Sequence, residues 1–282
     1  MNGGVQRDAR AATARETLAI LERGDYVSAS GVAVDLRARQ AAAVAGTRAY
    51  RPENLPRLDA PAPGRAAAQI AVTRETTLAA MGRLNAAPGG RMGCLNFASA
   101  RNPGGGFLGG AQAQEESLAR ASGLYPCLLT QTAVYEENRA HRSLLYLDRI
   151  IHSPGVPFFR DDAGALLAAP FLADVLTCAA PNAGAILTNS PMERPLVAPA
   201  LARRAEQVLR VAAAHGVERL VLGAWGCGVF GNDPAVVART FAALVGPRGD
   251  YHRRFAEVVF AVFDPSPGAA AHRAFAEAFP GK

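Results

Sequence analysis

The sequence predicts an α/β protein, a three-layer α/β/α sandwich with a mixed, largely parallel sheet and an N-terminal helical extension. Short apolar runs that favour strands alternate with helix-like segments through most of residues 68–278, and this alternation is typical of α/β folds. Half of the residues are hydrophobic and only 19% are charged, which is below the usual quarter. The composition therefore suits a chain that buries a large core.

The N-terminal part of the chain ends in a proline-rich stretch. Four prolines predict a loop over residues 51–65. The elements predicted before this loop are a helix over 6–23, a strand over 31–36 and a helix over 37–45. The chain length suggests about two domains, and we predict an accessory extension over residues 1–65 and a main domain over 66–282. The alternative, that residues 1–65 are the first part of one continuous core, stays open.

The main domain supplies the alternating strands and helices. In its first half we predict strands over 68–72 and 92–97 and helices over 73–85, 114–122 and 126–137. In its second half we predict strands over 174–178, 218–223 and 257–262 and helices over 193–215, 234–245 and 269–278. Pro195 and Pro199 break the long helix early, whereas Asp233 and Pro234 suit the cap and first position of the helix that follows them.

Two segments between these elements have weaker patterns. Residues 143–153 contain two short apolar pieces. Residues 153–161 carry too many prolines and glycines for regular structure, so the pattern predicts a loop there. Such a loop either lines a groove or lies on the surface.

The charge balance limits the partners that the chain can have. Lys and Arg number 30 against 24 Asp and Glu, a formal net charge of +6, and Lys282 is the only lysine. Arginine binds phosphate in a bidentate way, so the excess suits a polyanionic ligand. A genome that favours arginine codons would give the same bias. No block of basic residues is dense enough to predict binding to duplex nucleic acid.

Cysteine and histidine usage predicts neither disulfides nor a metal site. Cys94, Cys127, Cys178 and Cys227 form no CxxC pair, and no histidine lies at zinc spacing. We therefore expect no metal and no cofactor, and we expect the five histidines to be structural or surface residues. The sequence has no signal peptide and no run of 18 apolar residues. We expect a cytoplasmic monomer that does not bind a membrane.

A glycine-rich segment follows the strand predicted over 92–97. Gly104, Gly105 and Gly106 allow positive φ angles and bring bare backbone close to a ligand, and consecutive free N–H groups can hold an anion. Two adjacent carboxylates, Glu115 and Glu116, then begin a helix. Taken alone, this segment is also compatible with a flexible turn followed by acidic residues that interact with the helix dipole.

A second glycine loop spans residues 225–232, between a predicted strand and a predicted helix, where backbone N–H groups can hold phosphate. Its Gly226, Gly228 and Gly231 also match the dinucleotide-binding pattern GxGxxG. That pattern belongs after the first strand of a Rossmann fold, and here it lies near the C-terminus. Cys227 is either a nucleophile or a small residue that permits close approach of phosphate.

Together these motifs resemble a known family. Seven residues separate Gly106 from Gln114-Glu115-Glu116, and this spacing resembles the signature of the bacterial-type poly(ADP-ribose) glycohydrolases. The run from Gly223 to Phe230 is similar to the diphosphate-binding loop of macrodomain-type glycohydrolases. Weaker similarities cover Leu124-Tyr125-Pro126, residues 153–161 and Ala180-Pro181-Asn182-Ala183-Gly184. The resemblance implies a macrodomain-like core with an N-terminal helical segment.

The resemblance also implies a reaction and a set of site residues. The reaction is hydrolysis of the ribose–ribose O-glycosidic bonds of poly(ADP-ribose), carried on ADP-ribosylated proteins, which would reverse ADP-ribosylation in a DNA damage response. Glu116 would be the general acid and then the base, and Glu115 would hold ribose hydroxyls. The implied substrate-binding residues are Asn102, Gly104, Gly105, Gly106, Gln114, Gly226, Cys227, Gly228, Val229, Phe230 and Gly231.

Two alternatives stay open at this point. A macrodomain that only binds ADP-ribose or its polymer would need the glycine loops but not the carboxylate pair. The second alternative concerns Phe263, at the carboxyl end of the last predicted strand. We predict that it lies near the adenosine end of the ligand, because ligands bind outside the carboxyl ends of strands in open α/β sheets. It could instead plug the core beneath the terminal helix.

Overall fold

The computed structural model describes residues 2–59 and 66–280. The strands are β1 (Asp25–Val27), β2 (Ala33–Asp35), β3 (Arg48–Tyr50), β4 (Gln69–Thr73), β5 (Met92–Phe97), β6 (Ile150–Arg160), β7 (Leu166–Cys178), β8 (Arg219–Leu222) and β9 (Glu257–Ala261). The helices are α1 (Asn2–Arg23), α2 (Arg37–Gly46), α3 (Thr77–Asn85), α4 (Gln114–Ala121), α5 (Leu124–Leu129), α6 (Thr132–Ala140), α7 (Ala183–Asn189), α8 (Val197–Ala214), α9 (Pro234–Val245) and α10 (Ala270–Ala278).

A mixed sheet of seven strands forms the centre of the fold, in the order β3-β6-β7-β5-β8-β9-β4. Strands β7, β5, β8, β9 and β4 are parallel, whereas β6 and β3 are added at one side in antiparallel pairs. Strands β1 and β2 form a separate antiparallel pair. The predicted mixed and largely parallel sheet is confirmed.

Each face of the sheet is covered by helices over its own apolar cluster. One cluster joins α8, α9 and α10 to the sheet, and its side chains include Leu201, Val208 and Phe241. The other joins α3, α4 and α5 to the opposite face, with Met81 and Leu118 among its members. The predicted three-layer α/β/α architecture is therefore confirmed.

Residues 153–161 form most of strand β6, so the predicted loop is wrong. The strand tolerates Pro154 and Gly155 because its register against β7 shifts between Ser153 and Val156, and Gly155 takes a φ of 55° at this irregularity. Strand β3 pairs with β6 only over residues 150–152. Within residues 2–59 and 66–280 the β3 ladder stops there, and farther along β6 only an isolated bridge between Ser122 and Phe158 follows, so the missing N–H of Pro154 costs little.

The helix predicted over 193–215 begins later than expected. Pro191–Leu196 form a 3₁₀ helix that contains Pro195, and α8 begins at Val197. Pro199 is tolerated because it lies in the first turn of α8, whose N–H groups have no intrahelical partner. The predicted start of α9 is confirmed, because the Asp233 side chain accepts a hydrogen bond from the Ala235 N–H at 2.8 Å.

The N-terminal segment packs on the rest of the fold at several elements, and among these contacts α2 lies against β6 and α5. Helix α1 contacts α4 and the turn at Phe107–Gly109, and β3 is an edge strand of the main sheet. Residues 60–65 of the predicted proline-rich loop lie outside the described residues, and the domain boundary at residue 65 stays a prediction. In the part of the chain that the structure describes, no helix is both long and apolar enough to cross a membrane.

Candidate active site

Both glycine loops lie at the same edge of the sheet. Strands β5 and β8 are parallel neighbours, so the segments that follow Phe97 and Leu222 leave the sheet side by side. The sheet therefore brings together the two motifs that are more than 100 residues apart in sequence.

Gln114 fixes the start of α4 against β5. Its side-chain oxygen accepts a hydrogen bond from the Phe97 N–H at 2.8 Å, and its Nε2 donates to the Leu95 carbonyl at 2.8 Å and to Thr77 Oγ1 at 3.1 Å. Both ends of the amide are thus engaged within the protein. The residue holds the two carboxylates that follow it in register with the end of the strand.

Glu115 is a buried carboxylate with a partner at each oxygen. It is 3% exposed; its Oε2 accepts from the Ser99 N–H at 2.6 Å and its Oε1 from Asn96 Nδ2 at 3.3 Å. Burial raises the pKa of Glu115 to about 8, because the cost of desolvation exceeds the effect of these hydrogen bonds, which lower it. The neighbouring charge of Glu116 raises the pKa further.

Glu116 points toward the first glycine loop and has one oxygen without a partner. Its Oε1 accepts from the Gly106 N–H at 2.9 Å, whereas its Oε2 is buried and makes no hydrogen bond in the described part of the chain. A Cβ at Gly105, which has a φ of 60°, would overlap Oε1 of Glu116. Glycine is required at this position both by the backbone conformation and by the carboxylate.

The N–H groups of the first loop are used within the protein. The Gly105 N–H donates to the Asn102 carbonyl at 3.0 Å, and the Gly106 N–H donates to Oε1 of Glu116 at 2.9 Å. In this conformation the loop binds the carboxylate of Glu116.

Three arginines hold the outer limb of this loop. Arg7 and Arg10 of α1 donate to the carbonyls of Gly109 and Gly110, both at 2.8 Å, and Arg120 of α4 donates to the Ala111 carbonyl at 2.7 Å. Three consecutive carbonyls are therefore bound by cationic side chains. This arrangement ties the N-terminal helix to the segment that carries the glutamates.

Hydrogen bonds from Asn232 and Gly184 fix the backbone of the second loop, and several of its N–H groups make no hydrogen bond to the described residues. Asn232 donates to the carbonyls of Pro181 at 2.8 Å and Gly226 at 3.0 Å, and the Gly184 N–H donates to the Phe230 carbonyl at 2.9 Å. Across residues 2–59 and 66–280, no partner accepts from the N–H groups of residues 228–230. Such a run of free donors before the start of α9 suits an anion.

An aromatic contact links the second loop to the segment before β6. The Phe230 ring lies 5.9 Å from the ring of Tyr146, and both pack with Ala100, which precedes the first loop. Phe230 is partly buried, whereas the neighbouring Val229 is largely exposed.

A cleft of about 1000 Å³ runs along this edge of the sheet. Its lining includes Thr77, Phe97, Gln114, Cys227, Gly228 and Phe263. Phe263 is 63% exposed, so it does not plug the core beneath the terminal helix. The cleft therefore connects the start of α4, the second loop and the end of β9.

Comparison with known proteins gives the family. A family model for the catalytic domain of microbial-type PARG, the poly(ADP-ribose) glycohydrolases, matches residues 14–161, just over half of the chain. The chain belongs to this family. Among curated proteins no match is found.

Solved PARG structures match nearly the whole chain. The crystal structure of the PARG from Thermomonospora curvata has a TM-score of 0.91 and 51% sequence identity, over 96% of this chain and 100% of that chain. The same enzyme bound to the inhibitor ADP-HPD has a TM-score of 0.88 and 52% identity, over 96% and 99% of the two chains. The PARG from Deinococcus radiodurans in complex with ADP-ribose has a TM-score of 0.78 and 47% identity, over 86% and 97%.

The structure of this PARG adds residues that the sequence analysis missed. Asn96 and Ser99, the partners of Glu115, lie in or just after β5, and Tyr146 lies in the segment before β6. Asn96 could have been found from the sequence, because it is a polar residue inside an otherwise apolar strand; the structure buries it fully. No comparable signal pointed to Tyr146.

Two further predictions concern cysteine and metal chemistry. Burial raises the pKa of the Cys227 thiol to about 12, so the thiol is protonated near neutral pH and is a poor nucleophile. This favours the interpretation of Cys227 as a small residue beside the cleft. Among the described residues, no group of three or more His, Cys, Asp or Glu is arranged to hold a metal ion.

Proposed function

We propose that this PARG hydrolyses the ribose–ribose O-glycosidic bonds of poly(ADP-ribose) and that Glu116 is the general acid and base. One observation carries the assignment to Glu116. Among residues 2–59 and 66–280 its buried Oε2 has no hydrogen-bond partner, whereas both oxygens of Glu115 are occupied. A general acid must have an oxygen free to reach the leaving group.

The reaction follows from glycosidase chemistry. The bond to the distal ribose breaks through an oxocarbenium-like transition state, so the leaving oxygen needs a proton. Protonated Glu116 donates that proton from Oε2. As a carboxylate it then removes a proton from the water that attacks the ribose. The hydrogen bond from Gly106 to Oε1 holds the carboxyl group through both steps.

The pKa of Glu115 is raised, yet its hydrogen bonds support a role in holding the substrate rather than in proton transfer. A raised pKa suits an acid, but both of its oxygens are bound to groups that precede the glycine loop. In choosing the general acid, the position of the carboxyl oxygens outweighs the pKa, because a proton can be delivered only to an atom within reach. Each carboxylate oxygen can accept a second hydrogen bond, so we assign Glu115 to orienting ribose hydroxyls. We assign Asn102, which is exposed at the start of the loop, to the distal ribose.

The diphosphate is assigned mainly to the second loop. Gly228, Val229 and Phe230 offer the free N–H groups, whereas the N–H groups of Gly105 and Gly106 already have partners. The Phe230 ring would pack on the distal ribose. At the other end of the cleft, the exposed Phe263 would stack on adenine.

The test separates catalysis from binding. Glu116→Gln keeps the size of the side chain and removes the acid, so release of ADP-ribose from the polymer should fall by about 10²–10⁴-fold. ADP-ribose affinity, measured by calorimetry, should stay within a few-fold, because the lost interaction acts on the transition state. Glu136→Gln, at an exposed position of α6, is the control. Digestion by the Glu116 variant at nearly the wild-type rate would refute the assignment.

A further inference from the structure

Tyr146 holds a backbone conformation that is unusual for a bulky residue. Its φ is 61°, in the left-handed region that few residues other than glycine, Asn and Asp adopt. Such a conformation is strained and persists only where neighbouring contacts impose it. It is therefore a reason to ask what the side chain does.

A buried arginine imposes this conformation. Arg204 is 1% exposed and donates to the carbonyls of Leu145 at 2.6 Å, Tyr146 at 2.7 Å and Ala179 at 2.9 Å. Its Nε also donates to Asp148 at 2.7 Å. The turn that carries Tyr146 is thus fixed from inside the protein, and the Tyr146 ring is directed between the two glycine loops.

The Tyr146 ring supports a second side chain besides Phe230. The guanidinium carbon of Arg101 lies 5.9 Å from its centroid, within the range of a cation–π contact. Arg101 is exposed, and across residues 2–59 and 66–280 no carboxylate forms a salt bridge with it. Arg139 donates to the backbone carbonyl of Arg101, which places a second cation beside it. The guanidinium of Arg101 is held in place, but its charge is not neutralised.

The position of Arg101 is fixed relative to the carboxylates. Ser99 Oγ accepts from the N–H groups of Arg101 at 3.3 Å and Asn102 at 3.1 Å, while the Ser99 N–H donates to Glu115. Arg101 therefore begins the turn that leads to the glycines around Glu116. It directly precedes Asn102, which we assigned to the distal ribose, and both residues are exposed.

We propose that Arg101 binds the diphosphate of the leaving ADP-ribose unit, the unit on the far side of the bond that is cleaved. This inference rests on the proposed function. Hydrolysis needs contacts on both sides of the bond, and the leaving unit extends from the distal ribose toward solvent. An arginine that is oriented on an aromatic ring and has no carboxylate partner suits a diphosphate, because the guanidinium can donate two parallel hydrogen bonds. Tyr146 is the positioning residue for Arg101.

The experiment compares a ligand that spans the bond with one that does not. Arg101→Gln and Arg101→Ala should lower kcat/KM for chains of two or more ADP-ribose units by about tenfold, the loss expected for one charged hydrogen-bond contact. The Kd of ADP-ribose, which lacks the leaving unit, should stay within about twofold, and the melting temperature should not change. Arg101→Lys should retain part of the rate.

Controls distinguish this proposal from the proposed function. Arg248→Ala, an exposed arginine between α9 and β9, should behave as wild type. The difference between wild type and Arg101→Ala should shrink as salt is raised, since exposed charges are screened. Equal rates on the polymer, or a parallel loss of ADP-ribose affinity and melting temperature, would overturn the Arg101 assignment. A wild-type protein that fails to cleave the polymer would instead overturn the proposed function.

Discussion

Burial of Glu115 should make the protein less stable as pH rises, and Glu115→Gln should remove that dependence. The pKa of this carboxyl is about 8 in the folded protein, against an ordinary value of 4.5. Between these values the folded state binds a proton that the unfolded state has released. The stability associated with the protonated group is therefore present below pH 4.5 and is lost as pH rises toward 8.

The size of the effect follows from the width of this window. Each pKa unit corresponds to about 1.4 kcal/mol, so the 2.5 units between the ordinary pKa and pH 7 amount to about 3 kcal/mol. Glutamine at position 115 stays neutral at every pH and can still accept a hydrogen bond from the Ser99 N–H. Its amide can also donate to Oδ1 of Asn96 once the Asn96 amide flips, and that oxygen is buried without a partner among the described residues.

Urea unfolding at pH 5 and pH 8 measures this difference directly. We expect the free energy of unfolding of Glu115→Gln, relative to wild type, to increase by about 3 kcal/mol between the two pH values. Glu136→Gln, on the exposed face of α6, should show no such change. Wild-type and Glu115→Gln stabilities that run parallel from pH 5 to pH 8 would refute the reasoning, because they would mean that the buried carboxyl does not hold its proton.

Two further predictions concern the cleft. Gly228→Val should weaken ADP-ribose binding by about tenfold or more without unfolding the protein, because a Cβ there meets nothing within 4 Å and would project beside the free N–H groups. Calorimetry on the folded variant tests this. Gly226→Val is the contrasting variant, because its Cβ would crowd Ala180 and Asn232 and should lower the melting temperature. Phe263→Ala should weaken ADP-ribose binding by about 1–3 kcal/mol with nearly normal melting, and unchanged affinity would remove Phe263 from the site.

The sequence predicted the layers of the fold better than the strands at its antiparallel side. Alternation of apolar runs was sufficient for β4, β5, β8 and β9, which are short and lie in the parallel part of the sheet. Strand β6 was missed because its prolines and glycine suit a loop by local preference. They are accommodated in the sheet by a register shift and by the short partner strand β3, neither of which local sequence reports.

The candidate site was predicted as a set of residues but not as a set of contacts. The motif spacing placed Gln114, Glu115 and Glu116 at the site, yet the use of the Gln114 amide depends on the backbone of β5 and on Thr77 of α3. The free N–H groups of the second loop likewise became distinguishable from the occupied ones of the first only in three dimensions. Both the use of the Gln114 amide and the free N–H groups of the second loop depend on residues that are distant in sequence.

The two glutamates show why adjacency in sequence can produce different chemistry. Neighbouring residues on an α-helix point about 100° apart, since a turn contains 3.6 residues. Glu115 therefore turns toward β5, where Asn96 and Ser99 bind both of its oxygens. Glu116 turns toward the glycine loop, where the described residues bind only one of its oxygens. A shift of α4 by a single residue would put one glutamate in the environment of the other and bring Gln114 or Ser117 into the vacated position. The hydrogen bonds of Gln114 to β5 hold α4 in its register, and in the proposed mechanism this register determines which carboxylate faces the bond that is cleaved.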